Sequence, residues 1–350
     1  LMFASRNGHG DVVTALMKNG ADPKLANGDG LTASMVAIVN DRFDLAGKML
    51  ELGADANDGS LYFAVDMHDA TTDMRAHDGS RLRANFPNTL TSMDLIKLLL
   101  DKGADPNKPF QGQVHNTTLC CDPEVNSSPF YRAAIASDVD ALTVMLAHGA
   151  KVDWSPAEMK KPGAPAAAGA AAGRGVNANV GKTAAMMSMS GGRGASFAAG
   201  PGFDRIGPPP FREPGDRDPV DALKVLLKAG ADPNGKAPDG TTLLHQAVTV
   251  RRVDAIRALV DAGAKLDAVN KDNMTPLLLA EKPDPPLTAA QMQQDPGVYR
   301  PRRDKREDVI ATLRELMHLG PDDPAPQPPP LPKDDKKDEK KDDKKADVAQ

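Results

Sequence analysis

Residues 18–30 read KNGADPKLANGDG, and the inner stretch 19–24, NGADPK, decides the fold. Taken alone it is a helix stop and a turn. A glycine just past a helix end adopts the left-handed conformation without a Cβ to clash, and Asp, Pro and Asn initiate turns. The chain writes this turn again: LGADAN at 52–57, KGADPN at 102–107, HGAKVD at 148–153, AGADPN at 229–234 and AGAKLD at 262–267. With the glycine as ruler the marks are Gly20, Gly53, Gly103, Gly149, Gly230 and Gly263, with a degenerate seventh at Gly320 in LMHLGPDD. The gaps are 33, 50, 46, 81, 33 and 57 residues; the long ones exceed 33 by 17, 13, 48 and 24. Insertions interrupting a unit of fixed length produce this pattern.

A short amphipathic segment precedes each turn, such as FDLAGKMLELG, MDLIKLLLDKG or VDAIRALVDAG. Leu95, Leu98 and Leu99 show the i, i+3, i+4 spacing that forms one buried helical stripe. After the turn a second helix begins at DGLTASMVAI (29–38), NSSPFYRAAI (126–135), DGTTLLHQAV (239–248) and DNMTPLLLAE (272–281). Thr caps it, and Pro fits its first turn.

These starts resemble the GxTPLHxA pattern of ankyrin repeats, and 33 is the ankyrin period; the chain is identified as a member of that family. The run LYFAVDM at 61–67, followed by an insertion and then SMDLIKLLLDKGADPN, resembles bacterial ankyrin arrays with insertions between and within repeats. The resemblance implies an all-α solenoid of paired antiparallel helices joined by β-hairpin-type loops. About seven repeats are readable, the first truncated because LMFASRNGHG aligns only from its Leu onward.

The expected ankyrin domain is 1–320, with repeats at about 1–24, 25–57, 58–107, 126–153, 176–234, 235–267 and 268–320. Insertions fall at about 69–91, 191–218 and 283–306 between the two helices of a repeat, and at 108–125 and 155–175 in the hairpin connections. KKPGAPAAAGAAAGRG at 160–175 is of low complexity. Residues 321–350 are expected to be a disordered tail, Pro-rich and then Lys/Asp-rich. From 333 on it carries seven Lys against six Asp and one Glu, and like charges recur at i, i+4, as at Asp334 and Asp338, which disfavours a helix.

Composition narrows the function. Hydrophobic residues at 40% and charged ones at 26% fit a soluble folded chain, while 4% aromatics with Trp154 alone among tryptophans fit a repeat array better than one large globule. A net charge of −5 supplies no basic face, so no nucleic-acid partner is expected. No apolar run is long enough for a membrane span. The adjacent Cys120 and Cys121 form no disulfide framework. The chain starts without an initiator Met, which suggests a truncation and leaves localisation open: cytoplasmic, or periplasmic or secreted if a signal peptide precedes.

Motifs for chemistry fail one by one. Gly181, Lys182 and Thr183 end like a P-loop, but five residues separate Gly175 from Gly181 where a P-loop has four, so a helix start is the better reading. His115, Cys120, Cys121 and Asp122 are conceivable zinc ligands without a defined fourth position. The sequons at Asn116 and Asn126 decide nothing. His245 matches the TPLH histidine of the family, whose ring ties neighbouring backbone, and His9 sits in a turn between helices. No catalytic residue, cofactor site or metal site is predicted. The expectation is a monomeric, non-catalytic interaction scaffold holding a protein partner on its concave face, or the targeting or regulatory part of a larger enzyme. Contact candidates past each turn are Asn27, Asp29, Asn107, Lys108, Trp154, Lys236, Asp239, Asn270 and Asp272. Arg251 and Arg252, in place of the usual GH turn, are expected to be solvated or to meet an acidic partner.

Overall fold

The computed structural model describes residues 1–69, 87–110, 127–156, 181–189, 217–283 and 303–329. Among these the helices fall into seven pairs: α1 (Met2–Asn7) with α2 (Gly10–Lys18), α3 (Ala33–Val39) with α4 (Phe43–Glu51), α5 (Ser60–Asp69) with α6 (Ser92–Asp101), α7 (Pro129–Ile135) with α8 (Val139–Ala147), α9 (Ala184–Ser188) with α10 (Pro219–Lys228), α11 (Leu243–Val250) with α12 (Val253–Asp261), and α13 (Pro276–Glu281) with α14 (Arg306–Leu316). Odd-numbered helices pack on one another in succession and even-numbered ones do the same, so the molecule is a two-row solenoid.

Local chemistry sets both ends of each pair. The Oγ atoms of Thr32, Ser128, Thr242 and Thr275 accept the amide three residues on, starting α3, α7, α11 and α13. At the far end, Gly20, Gly53, Gly103, Gly149, Gly230 and Gly263 all lie at φ between 84° and 100°. There the glycine amide and the following alanine amide turn back onto the last helical carbonyls, as in Gly20 N to Met17 O (3.1 Å) and Ala21 N to Leu16 O (3.0 Å). The seventh turn departs from the ruler. The left-handed residue closing α14 is His318 (φ 56°), two residues ahead of Gly320, whose amide instead donates to Asp323 Oδ2 at 2.6 Å.

The apolar stripes meet in one continuous core that runs from Met35 to Leu313, with a smaller cluster of Val13, Ala33, Leu45 and Met49 at the N-terminal end. Leu95, Ile96 and Leu99 of α6 are fully buried; truncating any one to Ala costs about 2–5 kcal/mol.

The hairpin-type loops contain, among the described residues, a single isolated antiparallel bridge, Lys236 to Thr242. Two expectations change. Phe110, counted with the insertion at 108–125, belongs to the core: it is 7% exposed, its ring lies 4.9 Å from Phe63 and 5.8 Å from Tyr62, and its amide bonds Ser127 O at 3.1 Å. Residues 321–329, counted with the tail, lie against the last pair, with Ala325 on the core and Pro329 O accepting from Asn273 Nδ2 at 3.2 Å. Insertion residues 70–86, 111–125, 157–175, 191–216 and 284–302, among them the low-complexity run, His115, Asn116, Cys120, Cys121 and Asp122, lie outside the described residues, as do Asn126 and the tail from 330 onward.

Candidate interaction surface

The turns that follow the second helices line up along one edge, and asparagine side chains stitch them together. Asn107 reaches forward one repeat: its Nδ2 donates to Gly149 O (3.1 Å) and its Oδ1 accepts from Lys151 N (2.7 Å). Asn234 does the same to Gly263 O (3.0 Å) and Lys265 N (2.8 Å). Asn57 Oδ1 accepts from Asp105 N at 3.2 Å. Each such bond pairs a loop backbone N–H or C=O that would otherwise rely on water, so the edge is a fixed strip.

The predicted contact residues are strung along this strip and do not converge on one pocket. Asn27 Oδ1 accepts the amides of Asp29 (3.0 Å) and Leu31 (2.9 Å), and Asn270 Oδ1 those of Asp272 and Met274 (both 3.0 Å). Asp239 accepts from the Thr241 amide at 3.0 Å, a bond that holds its carboxyl below the ordinary carboxylate range. These side chains shape their own loops. Lys236 and Asp272 are exposed. Lys108 is exposed as well, with Nζ 2.6 Å from Asn57 O. Trp154 is half-buried, its ring 5.1 Å from that of Tyr131 and packed on the core.

Beside Lys108 the strip opens into a cleft of about 420 Å³, lined by Asn57, Asp58, Asp105, Lys108, Pro109 and Phe110 among others. Asp58 is held by Thr32 Oγ1 (2.5 Å) and the Ser60 amide (2.8 Å). Composition alone could not locate this cleft, because residues from three successive repeats form it. Among the described residues no group of three or more His, Cys, Asp or Glu side chains is placed to hold a metal, and no helix is long and apolar enough to cross a membrane.

The family profile for ankyrin repeats in three copies matches residues 216–284, and the single ankyrin repeat profile matches residues 1–28. The chain carries ankyrin repeats. Of curated relatives, the Danio rerio protein named palmitoyltransferase ZDHHC13 is 27% identical over 44% of this chain and 19% of its own length. The fowlpox virus (strain NVSL) ankyrin repeat protein FPV222 is 38% identical over 17% of this chain and 8% of its own. E3 ubiquitin-protein ligase KEG of Arabidopsis thaliana is 34% identical over 20% and 4%. The chain thus spans less than a fifth of the length of these relatives. Among solved structures, the human ASB11 ankyrin repeat domain has a TM-score of 0.49 at 17% identity, covering 93% of this chain and 98% of that one. An ankyrin repeat domain from Acinetobacter baumannii AYE has 0.47 at 18%, covering 75% and 97%.

Within the ankyrin array the remaining polar chemistry is internal. His245 is fully buried, with Nε2 2.8 Å from Met274 O and Nδ1 2.8 Å from Thr242 Oγ1; burial lowers its pKa. Arg252, expected at the surface, is 5% exposed and paired with Asp218 and Asp254. Arg251 takes the left-handed position at the end of α11 (φ 55°). His68, Asp138 and Arg217 join three repeats: Asp138 Oδ2 lies 2.5 Å from His68 Nδ1 and 3.0 Å from Arg217 Nη2. Gly181 and Thr183 start α9, as the helix-start reading of GKT requires. Ankyrin repeats are protein-interaction modules, and the fold is typically non-catalytic.

Proposed function

We propose that this chain is a non-catalytic scaffold that holds one protein partner along the tip strip and the adjoining concave face, acting as a monomer and without nucleic acid or cofactor. The observation that carries this reading is the division of labour among tip residues. Asparagines and aspartates fix the loops, while Lys108, Lys236 and Asp272 present exposed charges from a rigid edge beside the 420 Å³ cleft. A pre-ordered edge loses little conformational entropy on binding. The test is the affinity of the captured partner for Lys108→Glu and Lys236→Glu, whose side chains lie outside the core. Loss of tenfold or more in either variant, with unchanged thermal stability, supports the strip; undiminished binding by both assigns the contact elsewhere.

A second reading has its own support. Two relatives are named for enzymes, and the similarity occupies 19% and 4% of their lengths. On that reading this array is the targeting part of a longer enzyme, and assay of the whole translated protein for transferase or ligase activity decides it.

A further inference from the structure

We infer that residues 324–329, PAPQPP, form a polyproline strut fixed to the last repeat and presented to a second protein whose groove is lined with Trp and Tyr rings. Every residue from Asp323 to Pro329 is a proline or stands directly before one. Proline locks its own φ at about −65°, and the residue before it is pushed out of the helical region, so the run is confined to the polyproline form. Residues 324–329 accordingly belong to no helix or strand.

Burial follows the period of that form, three residues per turn. Ala325 and Pro328 are half-buried, Ala325 being packed on the core, while Pro324, Pro326, Gln327 and Pro329 are exposed. A strand would turn every second residue inward; here it is every third. The strut is pinned at both ends. Arg314 Nη1 donates to Gly320 O (2.9 Å) and Asp323 O (2.8 Å) just ahead of it, and Asn273 Nδ2 in the last tip loop donates to Pro329 O (3.2 Å).

A strap that merely covered the core would need only the face carrying Ala325 and Pro328. The two other faces carry the remaining prolines, and Pro326 and Pro329 share one of them at i, i+3 spacing. Exposed pyrrolidine rings in that register fit between aromatic rings. The N–H of Trp and the O–H of Tyr then donate to the strut's carbonyls, which the polyproline form leaves without internal bonds. Because the array already holds the strut in shape, a partner orders little more chain on binding. This is a second surface, with an occupant of its own, beside the tip strip.

Titration of the whole chain with two purified probes, a WW domain and an SH3 domain, tests this directly. At least one binds at about 100 μM or tighter. Combining Pro326→Ala with Pro329→Ala weakens that binding about tenfold or more while Tm stays within about 2 °C, because both rings are exposed. Asn273→Ala, which frees the far end, weakens it about twofold, since ordering the strut then falls on the binding step. No binding by either probe overturns the inference. Binding untouched by the double proline variant also overturns it, by assigning the contact to other prolines. So does tighter binding by Asn273→Ala, which would show that the array masks the strut instead of presenting it.

Discussion

Arg252 holds Asp218 through a single nitrogen, Nη2 standing 2.8 and 2.9 Å from the two carboxylate oxygens while Nε and Nη2 also grip Asp254 at 3.0 and 2.7 Å. Asp218 caps α10 through the Val220 amide (2.8 Å), so the guanidinium ties the start of α10 to the start of α12 in the next repeat. Arg252→Met leaves two carboxylates facing each other. The carboxylates are 38% and 35% exposed, so the loss falls below that of a fully buried pair, at about 2 kcal/mol in urea unfolding. A double-mutant cycle with Asp218→Asn, which keeps a capping oxygen, gives a coupling of at least about 0.5 kcal/mol.

Gly59 and Gly103 both have positive φ, 122° and 92°, but only Gly59 is crowded: a Cβ there comes within 2.7 Å of Met35 Cε and 2.9 Å of Phe110 Cδ2. Nothing lies within 4 Å of a Cβ at Gly103. Gly103→Ala therefore costs only the backbone penalty of about 1–2 kcal/mol, and Gly59→Ala costs at least about 1 kcal/mol more because the core must shift. Paired thermal melts read the difference.

The pH dependence of stability carries the signature of His245. Burial lowers the pKa of its ring, so between the ordinary value of about 6.5 and the lower folded value the unfolded chain binds a proton that the folded one does not. The contribution is fully present above that ordinary value and is lost as pH falls through the folded pKa. Melting from pH 7.5 downward shows a decline in Tm that is shallower in His245→Gln; equal slopes would remove His245 as the cause.

Asn107→Ala removes the bonds to Gly149 O and Lys151 N. The expected cost is about 1–2 kcal/mol, with faster exchange of the Lys151 amide. Lys108→Glu, one residue on, gives up the bond from Nζ to Asn57 O, but because the side chain is exposed the loss stays within about 1 kcal/mol.

The repeat was legible because its markers are local. A glycine at φ near 90° and a Thr cap act within a few residues, so six turns and four helix starts follow from the letters alone. The seventh turn was not, because Gly320 is drawn into a bond with Asp323 and the helix ends at His318. The site was harder for the same reason in reverse. Asn27, Asn107 and Asn270 look like free polar groups in sequence, and only the folded loops show their oxygens taken by nearby or next-repeat amides. Arg252 looked solvated because its partner Asp218 is 34 residues away, and Phe110 looked like insertion because its partners Tyr62 and Phe63 lie two helices back.

Whether a protein partner sits along the tip strip is read by a hydrogen-exchange footprint of the partner complex. Slowed exchange is expected at 25–31, 105–110, 234–241 and 268–274, with the outer faces of α4, α6, α8 and α12 unchanged. Protection confined to those second helices, with the tips exchanging as in the free protein, would contradict it.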